Sequence, residues 1–145
     1  MRQRMIGFAI VAFSLFLPSC GGNSTSPTVD PVVGSYNLVS INGFAVPVRV
    51  SLTSTKEVVI TASTLVIDSS RGFTNTTTYR TTESGQVTST AEKCTGTFFL
   101  FGASLAFTET TAQNTTCGSR YTGVWDGVSQ IAVDFDPTTH AVFVK

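Results

Sequence analysis

The chain has 145 residues with nine basic and nine acidic side chains, so it is formally neutral at pH 7, and only 12% of its residues are charged. The basic groups are scattered singly, which excludes the continuous positive stripe that a nucleic acid or another polyanion needs. The length suits one domain, and abundant Thr and Ser, with no sustained helical spacing of Leu, Glu, Lys and Ala, favour strands.

The first element in chain order is Met1 to Cys20. Arg2 and Arg4 precede a 13-residue apolar run, Met5 to Leu17. As a helix that run would span roughly 20 Å, short of a bilayer core of about 30 Å. Leu17-Pro18-Ser19-Cys20 then places an aliphatic residue, a tolerant position and a small residue before a cysteine. The whole segment resembles a bacterial lipoprotein signal peptide with its lipobox. That resemblance implies cleavage after Ser19, lipidation of Cys20, and membrane partnership through this lipid anchor. Gly21 after the cysteine resembles outer-membrane sorting, so the expected location is the bacterial cell envelope at the outer membrane. Removing residues 1–19 takes Arg2 and Arg4 away and leaves 126 residues with seven basic and nine acidic groups, formally −2.

With Cys20 consumed by lipid, Cys94 and Cys117 remain as an even pair in a disulfide-permissive compartment, and a bond between them is expected. It would close a loop of about 23 residues; on the chain-entropy model such closure stabilises by roughly 3 kcal/mol. Two separate thiols are the alternative. A strict two-residue hairpin at Gly102-Ala103 would put Cys94 opposite Thr111, so residues 112–116 must loop back for the bond to form.

Residues 20–33 read as the lipidated cysteine and a flexible tether, rich in Gly, Ser, Thr and Pro, and residues 34–145 as the folded domain. Turn chemistry punctuates the rest at Asn42-Gly43, Ser70-Arg71-Gly72, Ser84-Gly85, Gly102-Ala103, Cys117-Gly118, Asp126-Gly127 and Asp136-Pro137. The intervening runs predict strands at Ser35–Ile41, Val46–Leu52, Val58–Asp68, Phe73–Thr82, Cys94–Phe101, Ser104–Thr111, Ser119–Trp125, Ser129–Phe135 and Ala141–Lys145. Val87–Thr90 is a possible extension of the fifth strand, and Glu83 to Lys93 reads as a loop. Ile131, Val133 and Phe135 alternate strictly, whereas Phe98 to Phe101 are apolar on both faces. Consecutive hairpins without long crossovers predict an all-β antiparallel up-and-down barrel of about eight strands, with a two-sheet β-sandwich as the alternative.

Several segments carry a family resemblance: VVGSYNLVSINGFAVPVRV with its Gly34-Ser35-Tyr36 opening, ITASTLVID, CTGTFFLFGASLAFTET, YTGVWDG and the closing AVFVK. Together, from Val33 to Lys145, they resemble small bacterial lipocalin-like, calycin-type lipoprotein domains, with Tyr36 where lipocalins place tryptophan. The resemblance implies a barrel and a binding role, and it carries no catalytic residue over.

No nucleophile, phosphate-loop or metal motif is present, so no catalytic residue, metal or cofactor is expected. His140 reads as a surface histidine in the last turn; an enzyme using it with Asp136 is the least favoured reading. Asp134 and Asp136 share a face and read as solvated. Tyr36, Phe99, Phe101, Phe107, Tyr121, Trp125 and Phe135 are the expected barrel-interior or ligand-lining residues. Such large aromatics predict a mostly filled interior, with room for one small ligand at most. The expected function is therefore a non-enzymatic, membrane-tethered lipoprotein whose barrel binds a hydrophobic small molecule or an envelope protein. The alternative is an inhibitor of a secreted or envelope hydrolase, contacting it through the tether or the Glu83–Lys93 loop.

Overall fold

The computed structural model describes residues 30–115 and 119–145. Residues 1–19, read above as a signal peptide, Cys20 with most of the expected tether, and Cys117 lie outside the described residues. Ten strands follow one another: β1 Gly34–Ile41, β2 Phe44–Ala45, β3 Val48–Leu52, β4 Lys56–Ile67, β5 Gly72–Glu83, β6 Gln86–Phe101, β7 Ser104–Gln113, β8 Arg120–Trp125, β9 Gln130–Asp136 and β10 Thr139–Val144. From β4 through β10 each strand pairs antiparallel with the next, β10 pairs with β1, and β1 returns to β4. The result is a closed eight-stranded antiparallel up-and-down barrel with two extra strands, β2 and β3. The sandwich alternative falls because the β1–β4 ladder (Gly34↔Ile67 to Asn37↔Thr64) joins the two ends of one sheet. Closure removes the open edges that a sandwich would have to protect.

β1 and β4 diverge beyond Asn37, and the two extra strands occupy the gap. β2 pairs with the end of β1 (Ile41↔Phe44), and β3 pairs with the start of β4 (Leu52↔Glu57). A bulge between Leu38 and Ser40 turns Val39 outward, so Tyr36, Leu38 and Ile41 all face the core although strict alternation would have chosen Ser40. A second bulge, between Ile60 and Ala62, keeps Ile60, Ser63, Leu65 and Ile67 on the inner face of β4.

The predicted loop Glu83 to Lys93 does not form. Ser84-Gly85 makes a two-residue turn between Glu83 and Gln86, and residues 86–93 continue β6 as a 16-residue strand. Both turn residues have positive φ (48° and 81°), the twist that lets two long strands continue without splaying. Threonine repeated along β5 suits the ladder, because a β-branched side chain packs well on a pleated surface.

The two ends of the barrel differ. At one end lie the chain's entry at Asp30–Val33, the turns at 68–71, 102–103 and 126–129, and Lys145. Val32 is fully buried there, the Tyr36 hydroxyl donates to the Val32 carbonyl (2.7 Å), and Lys145 Nζ donates to the Pro31 carbonyl (3.0 Å). The expected tether therefore gives up residues 30–33 to the fold, because Val32 caps this end. Phe73, Phe98, Phe107, Leu105 and Ile131 fill the interior above the cap. At the other end lie the turns at 42–43, 53–55, 84–85 and 137–138 and the β7–β8 connection.

Three exposed aspartates hold turns by accepting backbone N–H groups. Asp126 Oδ1 accepts from Val128, Ser129 and Gln130 at 2.8, 2.8 and 2.9 Å, Asp68 from Ser70 and Gly72, and Asp136 from Thr138. These bonds favour the carboxylate, and all three acids sit below the ordinary value of 3.8, Asp136 at about 2 through the hydroxyls and amides of Thr138 and Thr139. A pKa depressed by folding contributes stability above the unfolded value and loses it as pH falls toward the folded one. Asp136→Asn is thus expected to lower the urea midpoint at pH 6, with the gap to wild type closing between pH 4 and pH 2. A gap that stays constant over that range would show that the charge is not what holds the turn.

Candidate functional site

The inner face changes character along the barrel axis. Phe73, Phe107, Tyr121 and Phe135 form a chain of touching rings, with centroids 5.2, 5.0 and 4.8 Å apart in sequence. They lead from the packed end to the floor of a cavity. Beyond that floor the inward positions carry small or polar side chains, and there the barrel is not filled. A cavity of about 470 Å³ opens there, with lining residues from each of the eight barrel strands. Its size falls within the range of small-molecule sites, about 300–1,000 Å³. The expectation of a mostly filled interior thus holds for one end only, because the large aromatics cluster there.

The cavity has two unlike walls. Leu38 and Ile41 of β1, Ile60 of β4, Phe135 of β9, and Ala141 and Phe143 of β10 make an apolar side. Ser63, Asn75, Thr77, Tyr79, Glu92, Cys94 and Glu109, from β4 to β7, make the polar side. The register explains the second group: Thr77 faces Ser63 and Glu92, and Asn75 faces Cys94, so the inward positions of three adjacent strands coincide in level.

Ser63 is 5% exposed and fully engaged. Its hydroxyl donates to Asn75 Oδ1 (2.9 Å), so in the 2.8 Å contact with Thr77 the Thr77 hydroxyl is the donor. Tyr121 is equally buried, yet its hydroxyl meets no partner at hydrogen-bonding geometry among the described residues. Burial first, and then the negative charge of Glu109, push the Tyr121 phenol far above its ordinary value. Tyr79 is pushed up in the same way by burial and by Glu92. Glu109 is held to the wall by the Ser119 N–H, which donates to Oε2 at 3.3 Å. Trp125 Nε1 is also buried without a partner, but Trp125 does not line the cavity.

Of the expected interior residues, Tyr36, Phe107, Tyr121 and Trp125 are buried and Phe135 is half-buried; only Tyr121 and Phe135 line the cavity. Phe99 and Phe101 are corrections. They are 66% and 89% exposed, and Phe98 and Leu100 take the interior instead. The hairpin itself carried the signal: Phe98↔Phe107 and Leu100↔Leu105 are direct partners, and partners share a face, so buried Leu105 and Phe107 require Phe98 and Leu100 beside them.

Cys94 lies opposite Ala112, not Thr111, because Thr110 is an extra residue in a bulge of β7. His140 pairs across the strands with Asp134 through Nδ1, not with Asp136, on the outer surface of β9 and β10. Asp134 and Asp136 do not act together: the first meets His140 and the second turns back to Thr138. Among the described residues no group of three or more His, Cys, Asp or Glu is placed to hold a metal ion.

Sequence reasoning missed Glu92, Glu109 and Tyr79. Glu92 fell in the segment read as a loop, and the other two sit in threonine-rich strands where an inward polar side chain has the same alternation as an outward one. Comparisons with protein-family models, with curated proteins and with solved structures each return no match, so the arrangement of this cavity carries the functional argument.

Proposed function

We propose that this chain is an envelope lipoprotein, anchored through Cys20 and sorted to the outer membrane, whose lipocalin-like barrel binds a small amphipathic molecule without chemically changing it. The observation that carries the binding role is the 470 Å³ cavity inside the barrel, with one apolar and one polar wall. A ligand with an apolar body against Leu38, Ile41, Ile60 and Phe143 would leave its polar groups to the Asn75, Thr77 and Glu109 side. The purely hydrophobic ligand expected from the aromatic content is thereby narrowed to one with a polar face.

The test is titration with an environment-sensitive fluorophore and displacement by a panel of amphiphiles. One saturable site per chain is expected, lost in Thr77→Trp, whose indole would occupy the cavity, while the circular dichroism of the barrel is retained. Absence of saturable binding across the panel would remove the proposal. The anchor is checked separately by metabolic labelling with a radioactive fatty acid: incorporation is expected in the wild type and none in Cys20→Ser.

We also propose the Cys94–Cys117 bond. The bulge at Thr110 brings Cys94 level with Ala112, so four residues separate its cross-strand partner from Cys117. Thiol labelling of the unreduced, mature protein is expected to find neither cysteine reactive; two reactive thiols would refute the bond.

A further inference from the structure

We infer that the ligand of this cavity is a small organic cation, a protonated amine on an apolar body, held at Glu109 and Tyr121. The inference rests on the binding role proposed above and names its ligand class. Among the described residues, Glu92, Glu109 and Asp136 belong to the cavity lining and no lysine, arginine or histidine does; the Asp136 carboxylate turns back to Thr138, which leaves Glu92 and Glu109 as the acids of the site. Residues 116–118, which follow Thr115 of the lining, are Thr-Cys-Gly and add no positive charge. The described residues therefore place two carboxylates, Glu92 and Glu109, and none of their cations around one cavity. Low-dielectric walls carrying one sign of charge focus the field and concentrate ions of the opposite sign.

Carboxylates at a barrel mouth are ordinarily just solvated, and acidity alone would not make a site. Tyr121 is the independent observation. Its hydroxyl is buried in the lining, where the Glu109 carboxylate is the one side chain acting on it and no partner among the described residues meets it at hydrogen-bonding geometry; a buried hydroxyl left unsatisfied costs about 1–3 kcal/mol. An ammonium group offers three donors and no acceptor. It would donate to the Glu109 carboxylate and to Tyr121 Oη together, satisfying the orphan oxygen as an acceptor. The rings of Tyr121 and Phe135, 4.8 Å apart, add aromatic faces that attract a cation. The apolar wall of Leu38, Ile41, Ile60 and Phe143 takes the body. An anionic ligand would meet two carboxylates with no counter-charge, and a neutral alcohol would leave them unmatched.

The experiment is isothermal titration of the full chain carrying Cys20→Ser, which has no lipid acceptor, with phenethylamine, phenethyl alcohol and phenylpropionate at pH 7. The three probes share one aromatic body and differ in the head. Phenethylamine is expected to bind about tenfold or more tighter than the alcohol, as a charge-assisted hydrogen bond allows, and phenylpropionate not measurably. Glu109→Gln should lower amine affinity about tenfold while leaving the alcohol within about a factor of two. Glu92→Gln should lower amine affinity by less and serves if the Glu109 variant does not fold. Equal binding of amine and alcohol, or an amine preference untouched by both variants, overturns the cation inference and leaves the binding role standing. If none of the three binds, and the amphiphile panel also fails, the binding role falls and the inference with it.

Discussion

Phe107→Ala is expected to destabilise the barrel by about 3–5 kcal/mol, the usual cost of emptying a buried aromatic site. Phe107 is 1% exposed and touches Phe73 edge-on, Phe98 at a tilt and Tyr121 in a stack, so its removal breaks the chain of rings in the middle. The surrounding closed sheet cannot collapse into the void, which places the loss toward the upper end. Urea unfolding with an unchanged slope measures it, and for a domain near this size each kcal/mol lowers Tm by about 4 °C or more. The control is Phe99→Ala on the outer face of the same hairpin, expected to change stability by no more than about 0.5 kcal/mol. Equal losses from the two substitutions would mean that the hairpin's faces are assigned the wrong way round.

Gly96→Ala is expected to cost at the upper end of about 1–3 kcal/mol, although it adds a single methyl group to a strand. A Cβ at this position would lie 2.0 Å from the Thr108 carbonyl oxygen, 2.8 Å from the Phe73 ring and 2.9 Å from the Glu109 Cα. Two of these neighbours are backbone, so no rotamer change relieves the contact. The β6–β7 ladder must part next to its bulge, where Glu109 leaves the wall. The same variant should therefore weaken ligand titration as well as stability. A Gly96→Ala protein with wild-type urea midpoint would show that the sheet yields there at no cost.

Strand existence was legible in the sequence wherever apolar residues alternated or a turn pair interrupted them. Ile131, Val133 and Phe135 declare one strand face, and Asp126-Gly127 declares the turn before it. Closure was legible only as an inference about edges, because the β1–β4 ladder joins segments some thirty residues apart that show no local sign of one another. The bulges at Val39, Thr61 and Thr110 were invisible: an extra residue shifts the phase of alternation without changing composition. The polar wall was hidden for a deeper reason. Period-two alternation tells which residues share a face, and says nothing about whether that face meets bulk water or an enclosed cavity. Nothing local in the sequence therefore marks Asn75, Thr77 and Glu92 as lining an enclosed space, which exists only because the sheet curls around them.

The place where the chain enters the barrel has a directional consequence. Val32 and Pro31 are bound into the packed end, so the described chain enters at the base of a goblet whose bowl is the cavity. A goblet held by its stem points its bowl away from the hand. On the proposed anchoring through Cys20, the cavity mouth would open on the side away from the membrane, and the exposed Phe101 and Val128, at the packed end, would be turned toward it.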